Sequence, residues 1–237
     1  MHTLRSVFPS FLVCLVIAVT GCAGNATDTN TSKEQPAAPA QVPDDGSAPA
    51  RPKIVALGDS LTAGLGLLEQ QAYPAALQRK VDADGYEFDV VNAGVSGETT
   101  AGGLRRLDWA LEGDVRVLIL ALGANDGLRG LSVGAMKSNL VEIIERTKEK
   151  GIVVILAGME APPNYGPEYT VAFRQVFQDV AREQRVLFIP FLLVKVAGQS
   201  NLNQGDGIHP NAAGAAIMAD TVWGVLRPVL DQMVSAS

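Results

Sequence analysis

The 237-residue chain is short of cysteine, histidine and aromatic side chains, and each scarcity closes off a kind of chemistry. Its two cysteines, Cys14 and Cys22, both lie near the amino end. The body of the chain therefore has no thiol for a disulfide, a nucleophile or a metal-thiolate site. The two histidines are His2 and His209, so no multi-histidine metal centre can be assembled in the body. Aromatic residues make up 5%, too few to favour a long stacking platform for sugars. There is no basic run and the formal charge is −6, becoming −7 if residues 1–21 are removed with their single arginine and no acid. An acidic chain of this kind is a poor match for nucleic acid or for electrostatic attachment to anionic lipid. Two nucleotide-binding signatures are also missing. No G-x-G-x-x-G follows the first apolar run, and no G-K-[ST] closes a phosphate loop. The G-x-S-x-G elbow is absent as well.

The longest early apolar run, residues 11–19, is too short to span a bilayer, which needs about 20 residues. It follows Arg5 and suits the apolar region of an export signal. The ending Val19-Thr20-Gly21-Cys22 resembles a bacterial lipobox, in which cleavage before the cysteine leaves it lipidated. Residues 1–21 are therefore expected to be a lipoprotein signal peptide, with Cys22 the lipidation site. Residues 22–52 carry the lipidated Cys22 and then a stretch rich in Ala, Thr, Pro, Asn and Gln, whose only apolar β-branched residue is Val42. That composition cannot build a core and reads as a flexible tether. The expected location is the bacterial cell envelope, with the membrane contacted through acyl chains. Ala23 after the cysteine is compatible with the outer membrane.

From Lys53 to the carboxyl end, 53–237, apolar β-rich runs alternate with helical patterns. Strands are expected at 53–57, 86–91, 115–122, 152–157 and 186–189, and helices near 71–84, 99–112, 132–150, 167–184 and 211–230. Several strand runs are almost wholly apolar, as when both faces of a parallel sheet are covered. The alternation predicts a single three-layer, doubly wound α/β domain with a five-stranded parallel sheet. In such folds ligands bind beyond the carboxyl ends of the strands, which directs attention to the segment after each one.

Gly58-Asp59-Ser60 follows the first strand. It fits a helix N-cap, and equally a serine nucleophile at a helix start, where the macrodipole favours negative charge. Asn92-Ala93-Gly94-Val95-Ser96-Gly97 follows the second. It is either a glycine turn or a place where a ligand atom approaches the Gly94 N–H as an oxyanion donor must. Gly123-Ala124-Asn125-Asp126-Gly127 follows the third, and is a turn signal that also offers the Asn125 amide. Near the carboxyl end stands Asp206-Gly207-Ile208-His209-Pro210. Pro210 suits the first position of the following helix and keeps His209 out of helical geometry. Asp206, three residues earlier, is close enough to orient the imidazole, although a turn aspartate and a surface histidine would look the same.

Taken together and in this order, GDSLTAG, NAGVSGETT, GANDG and DGIHPN resemble the four blocks of the SGNH (GDSL-type) hydrolase superfamily, which has a flavodoxin-like fold. Met159–Gly166, containing Pro-Pro-Asn-Tyr-Gly, is similar to the bacterial periplasmic branch of esterases, thioesterases and lysophospholipases. The resemblance covers about residues 53–230. It implies Ser60 as nucleophile, His209 as general base and Asp206 as its orienting partner. It further implies an oxyanion hole from the Ser60 and Gly94 N–H groups and the Asn125 side chain. No metal or organic cofactor is implied. The implied substrate is a small acyl ester, an acyl thioester or a lysophospholipid. The same blocks occur in carbohydrate O-acetyl esterases, an alternative reading. A non-catalytic lipid-anchored binding protein is a second, but it would require one of the catalytic letters to be replaced, and all are present. Many relatives in this branch are soluble in the periplasm, a difference from the lipobox and tether here. The apolar face of the last helix, 222–234, is expected to serve core packing, leaving the domain a monomer.

Overall fold

The computed structural model describes residues 51–235. The signal peptide, Cys22 and nearly all of the tether lie outside the described residues. At the boundary, Arg51 pairs with Glu87 at 2.9 Å, and Pro52 O accepts from the Asp89 N–H at 3.0 Å. The fold therefore engages the chain two residues ahead of the first strand.

Five strands are present among the described residues: β1 Lys53–Gly58, β2 Asp89–Gly94, β3 Val115–Ala121, β4 Val153–Ala157 and β5 Leu187–Ile189. All neighbouring pairs are parallel, in the order β2-β1-β3-β4-β5. The helices are α1 Ser60–Ala63, α2 Tyr73–Ala83, α3 Thr100–Arg105, α4 Leu107–Ala110, α5 Ala124–Leu128, α6 Val133–Glu149, α7 Gly166–Gln184 and α8 Ala212–Ser235. α2 packs against α8, while α6 packs against both α3 and α7. These two groups cover opposite faces, and β1 and β3 accordingly bury nearly every residue. This is the expected three-layer, flavodoxin-like arrangement. The direction of winding reverses between β1 and β3, so a crevice opens beyond their carboxyl ends. α8 is long and apolar enough to cross a membrane, yet Met218, Val222, Leu226 and Leu230 on it are fully buried in the core.

Beyond a short helix, α5, where the sequence predicts a turn, and an α8 that runs on to Ser235, two elements depart from the sequence expectation. The second strand runs 89–94 rather than 86–91. Tyr86 and Phe88 are buried, but their hydrogen bonds run to helices: the Tyr86 N–H donates to Val81 O at the end of α2, its hydroxyl donates to Asp231 of α8 at 2.5 Å, and Phe88 O accepts from Gln78 of α2 at 3.1 Å. As an edge strand, β2 continues instead through the polar Asn92 toward the crevice. The helix expected over 99–112 is broken into α3 and α4 at Arg106, whose backbone (φ −105°, ψ 10°) leaves helical geometry.

Arg106 ties several pieces together. Its Nε donates to both Glu98 carboxylate oxygens at 2.8 and 2.9 Å, and its Nη2 also pairs with Glu98. The same Nη2 donates to Ala93 O at 2.7 Å and Gly58 O at 3.3 Å, the carbonyls where β2 and β1 run out. The two side chains are only 17% and 9% exposed. Removing one partner of a buried pair leaves the other charge uncompensated, at roughly 3–5 kcal/mol. Glu98→Ala should therefore lower the urea midpoint by a corresponding amount. Glu98→Gln, which keeps one acceptor, should lose less.

Candidate active site

β1 delivers Ser60 to the crevice through a turn with no room for a side chain. A Cβ on Gly58 would lie 2.0 Å from Thr62 Oγ1 and 2.9 Å from Ala121 O. Asp59 caps α1 by accepting the Leu61 N–H at 3.1 Å, and Ser60 is the first helical residue. The Ser60 N–H thus lies among the first-turn donors, which have no partner within the helix.

His209 arrives from the far end of the chain. Asn211 caps α8, its Oδ1 accepting the Ala213 and Gly214 N–H groups at 3.0 and 3.1 Å. Just ahead of it, Asp206 Oδ1 accepts the N–H groups of Ile208 and His209, each at 3.0 Å, while Gly207 takes φ +75°. That turn leaves Asp206 Oδ2 2.6 Å from His209 Nδ1, and His209 Nε2 3.0 Å from Ser60 Oγ. An ionised Asp206 accepts at Nδ1, so the neutral imidazole presents an unprotonated Nε2 to the serine hydroxyl. The bonds from the His209 N–H and Nδ1 and from the Ile208 N–H pull the Asp206 carboxyl down to about 2. Asp206 is 47% exposed and His209 16%, so the orienting carboxylate stands at the rim while the imidazole is mostly covered.

Asn125 enters from α5, beyond β3. Its Nδ2 donates to Asp59 Oδ2 at 3.2 Å, which leaves its second amide hydrogen free to face the crevice. The adjacent Asp126 turns away and holds α3, accepting the Thr100 N–H at 2.9 Å and the Thr100 hydroxyl at 2.7 Å. Asp59 thus has a role that the sequence reading as a helix cap did not include: one oxygen fixes α1 and the other fixes Asn125. The only signal for it was its place beside Ser60. It is 1% exposed, and burial pushes its carboxyl up to about 6 against the bonds from Leu61 and Asn125 and the nearby His209.

Gly94 requires a correction. Its N–H donates to Asn92 Oδ1 at 3.0 Å and is not free for an oxyanion. Its lack of a side chain serves packing instead, since a Cβ would meet Ala63 N at 2.2 Å. In the same loop, Gly97 takes φ +79°, and among the described residues its N–H has no partner.

The serine and imidazole open onto a cavity of about 340 Å³. Its wall is largely apolar: Leu61, Leu128, Met159, Ala161, Pro162, Phe191, Leu193 and Ile208. Residues 159–162 form one side, and the residues that follow are tied back by the Tyr165 hydroxyl donating to Leu128 O and that of Tyr169 to Leu131 O, both at 2.9 Å. Among the described residues no group of three His, Cys, Asp or Glu side chains is placed to hold a metal ion.

A hydroxyl, an imidazole and a carboxylate linked in series, beside amide donors at the switch point of a parallel sheet, define a serine hydrolase of the α/β class. A model described as the GDSL-like Lipase/Acylhydrolase family matches residues 56–217, and the chain belongs to that family. It is 40% identical to the esterase TesA of Pseudomonas aeruginosa over 178 residues, 75% of this chain and 89% of that one. It is 34% identical to the thioesterase 1/protease 1/lysophospholipase L1 of Escherichia coli over 179 residues, 75% of this chain and 85% of that one. The crystal structure of the psychrotrophic esterase EstA from a Pseudoalteromonas species, inhibited by monoethylphosphonate, superposes with a TM-score of 0.72. The identity is 34%, with 76% of this chain and 98% of that one covered.

Burial of Asp59 has a measurable sign. The folded protein holds its proton more tightly than the unfolded chain, whose aspartates titrate near 3.9, so Asp59 lowers stability as pH rises from about 4 to about 6. Asp206, shifted the other way, contributes stability that is lost only as pH falls below about 4 toward 2. Asp59→Asn should remove the first contribution. Urea unfolding at pH 4 and pH 7 should show the variant gaining on the wild type at the higher pH.

Proposed function

We propose that this chain hydrolyses acyl esters through an acyl-enzyme on Ser60. The observation that carries the reading is the series Ser60–His209–Asp206, at 3.0 and 2.6 Å, opening onto an apolar cavity. As the Ser60 hydroxyl attacks the acyl carbonyl, His209 Nε2 takes its proton. The imidazolium is stabilised by Asp206 and, more remotely, by the buried Asp59. The tetrahedral oxyanion is met by the Ser60 N–H and the free hydrogen of Asn125 Nδ2. Gly97, whose N–H is unpartnered, replaces Gly94 as the candidate third donor. His209 then protonates the leaving alcohol or thiol, and water releases the acid by the same steps in reverse order.

The acyl group lies along the Leu128, Met159, Pro162 and Phe191 wall, and a cavity of about 340 Å³ suits short to medium chains. Acyl thioesters and lysophospholipids fall within the same reading, supported by the thioesterase and lysophospholipase named in the Escherichia coli relative. The sequence ahead of the fold supports attachment to a membrane of the bacterial envelope through a lipidated Cys22. Cys22→Ala should then shift the protein from the membrane fraction to the soluble one.

Burial of a methylene is worth about 0.8 kcal/mol, so kcat/KM for p-nitrophenyl esters should climb by up to about fourfold per carbon until the cavity is full. Turnover confined to acetyl esters would favour a carbohydrate deacetylase instead. Ser60→Ala should reduce hydrolysis to background, and near-wild-type turnover would end the nucleophile assignment. Asn125→Ala should fold and lose about 10²- to 10³-fold in kcat, the usual cost of one oxyanion donor.

A further inference from the structure

The nucleophile and the base stand 149 residues apart in sequence. Ser60 follows a central strand, whereas His209 belongs to residues 190–211, a stretch outside any strand or α-helix. Apart from the Ser60–His209 bond itself, one side chain hydrogen-bonds across these two segments among the described residues: Gln204. Its Nε2 donates to Leu65 O at 2.7 Å and to Pro210 O at 2.9 Å. On the serine side, Leu65 is already tied to the nucleophile, since its N–H and that of Gly64 donate to Ser60 O at 3.1 and 3.0 Å. On the histidine side, the Gln204 N–H donates to His209 O at 2.7 Å, and Asn203 bridges to Pro210, closing the base of the loop that holds Asp206 and His209. The fit is tight. A Cβ on Gly66 would lie 2.2 Å from Gln204 Oε1, so the glycine at φ +78° leaves the space that the amide occupies.

We infer that Gln204 is a positioning residue which sets the separation of Ser60 and His209, using one amide nitrogen to clamp the carbonyls of Leu65 and Pro210. This rests on the reading of Ser60 as nucleophile and His209 as base. The donor requirement is specific, because both partners are carbonyl oxygens and one nitrogen must carry two N–H bonds to meet them together. Misplacement of reacting groups by about 1 Å costs about 10²-fold in rate, so the effect belongs in kcat.

The test uses the full-length protein and p-nitrophenyl butyrate, comparing Gln204→Met, which keeps length but has no donor, with wild type. A fluorophosphonate reports the reactivity of Ser60 directly. The expected result is a 10- to 100-fold fall in both kcat and the phosphonylation rate, with KM within about twofold and the thermal midpoint little changed. The decisive comparison is in a His209→Ala background. A residue acting through His209 should there have no further effect on residual hydrolysis. An equal loss in both backgrounds, a loss confined to KM, or wild-type kcat in Gln204→Met would each overturn the inference. Gln204→Glu, which keeps size and polarity but sets a carboxylate against two carbonyls, decides the matter should the methionine variant misfold. Ser60→Ala, measured alongside, separates the two levels: if it retains turnover, the nucleophile reading fails and this inference with it. If it is inactive, the Gln204 variants are judged on their own.

Discussion

A single carboxylate, that of Asp59, joins the two strand ends flanking the crevice. Oδ1 accepts from Leu61 and sets the start of α1, and with it Ser60. Oδ2 accepts from Asn125, which comes from α5 on the far side of the switch point. Ser60 and the Asn125 amide are therefore placed relative to each other by the two oxygens of one group. Hydrogen bonds to both oxygens favour the charged form, while burial disfavours it, and burial prevails. Such a cost is tolerated where the geometry it enforces is used. A neutral amide at position 59 would offer one acceptor where two are needed.

The sequence made the fold legible where burial is two-sided. β1, β3 and β4 are nearly continuous apolar runs, and their places were readable within a residue or so. β2 was displaced because an edge strand need not be apolar throughout, and because Tyr86 and Phe88, the strongest apolar signals nearby, are buried ahead of the strand and hydrogen-bond to α2 and α8. The break at Arg106 was hidden for a related reason. It coincides with a long-range pairing to Glu98, Ala93 and Gly58 that no helical period reveals.

Within the site, Ser60, Asn125, Asp206 and His209 were legible because their segments, each ambiguous alone, follow a strand or precede a helix and occur together in one order. Gly94 was misplaced because a glycine serves two purposes that look identical in sequence, a close approach by a ligand and a close approach by the chain itself. Here the neighbour is the backbone of Ala63 in α1. Gln204 was invisible for a different reason. Its partners are main-chain carbonyls, which every residue possesses, so nothing in the identities of Leu65 and Pro210 marks the contact.

The two halves of the site are held by different physics. Ser60 and Asn125 follow the central strands β1 and β3, whose ladder hydrogen bonds and two-sided burial fix the backbone that leads to them. His209 sits in residues 190–211, which lie outside the sheet and the helices, so its main-chain groups need other partners. Main-chain turn bonds within the segment supply many of them, and side-chain amides add to these. Asn203 donates to Val196 O and Gln199 O, Asn211 to Asn201 O, and Gln204 to Leu65 O and Pro210 O. These amides tie turn to turn, at Val196 O and Gln199 O beside a main-chain donor, without the flatness a strand imposes. That is how a turn as tight as Asp206–His209 can present both ends of an imidazole, one to a carboxylate and one to a serine, from a segment with no regular structure of its own.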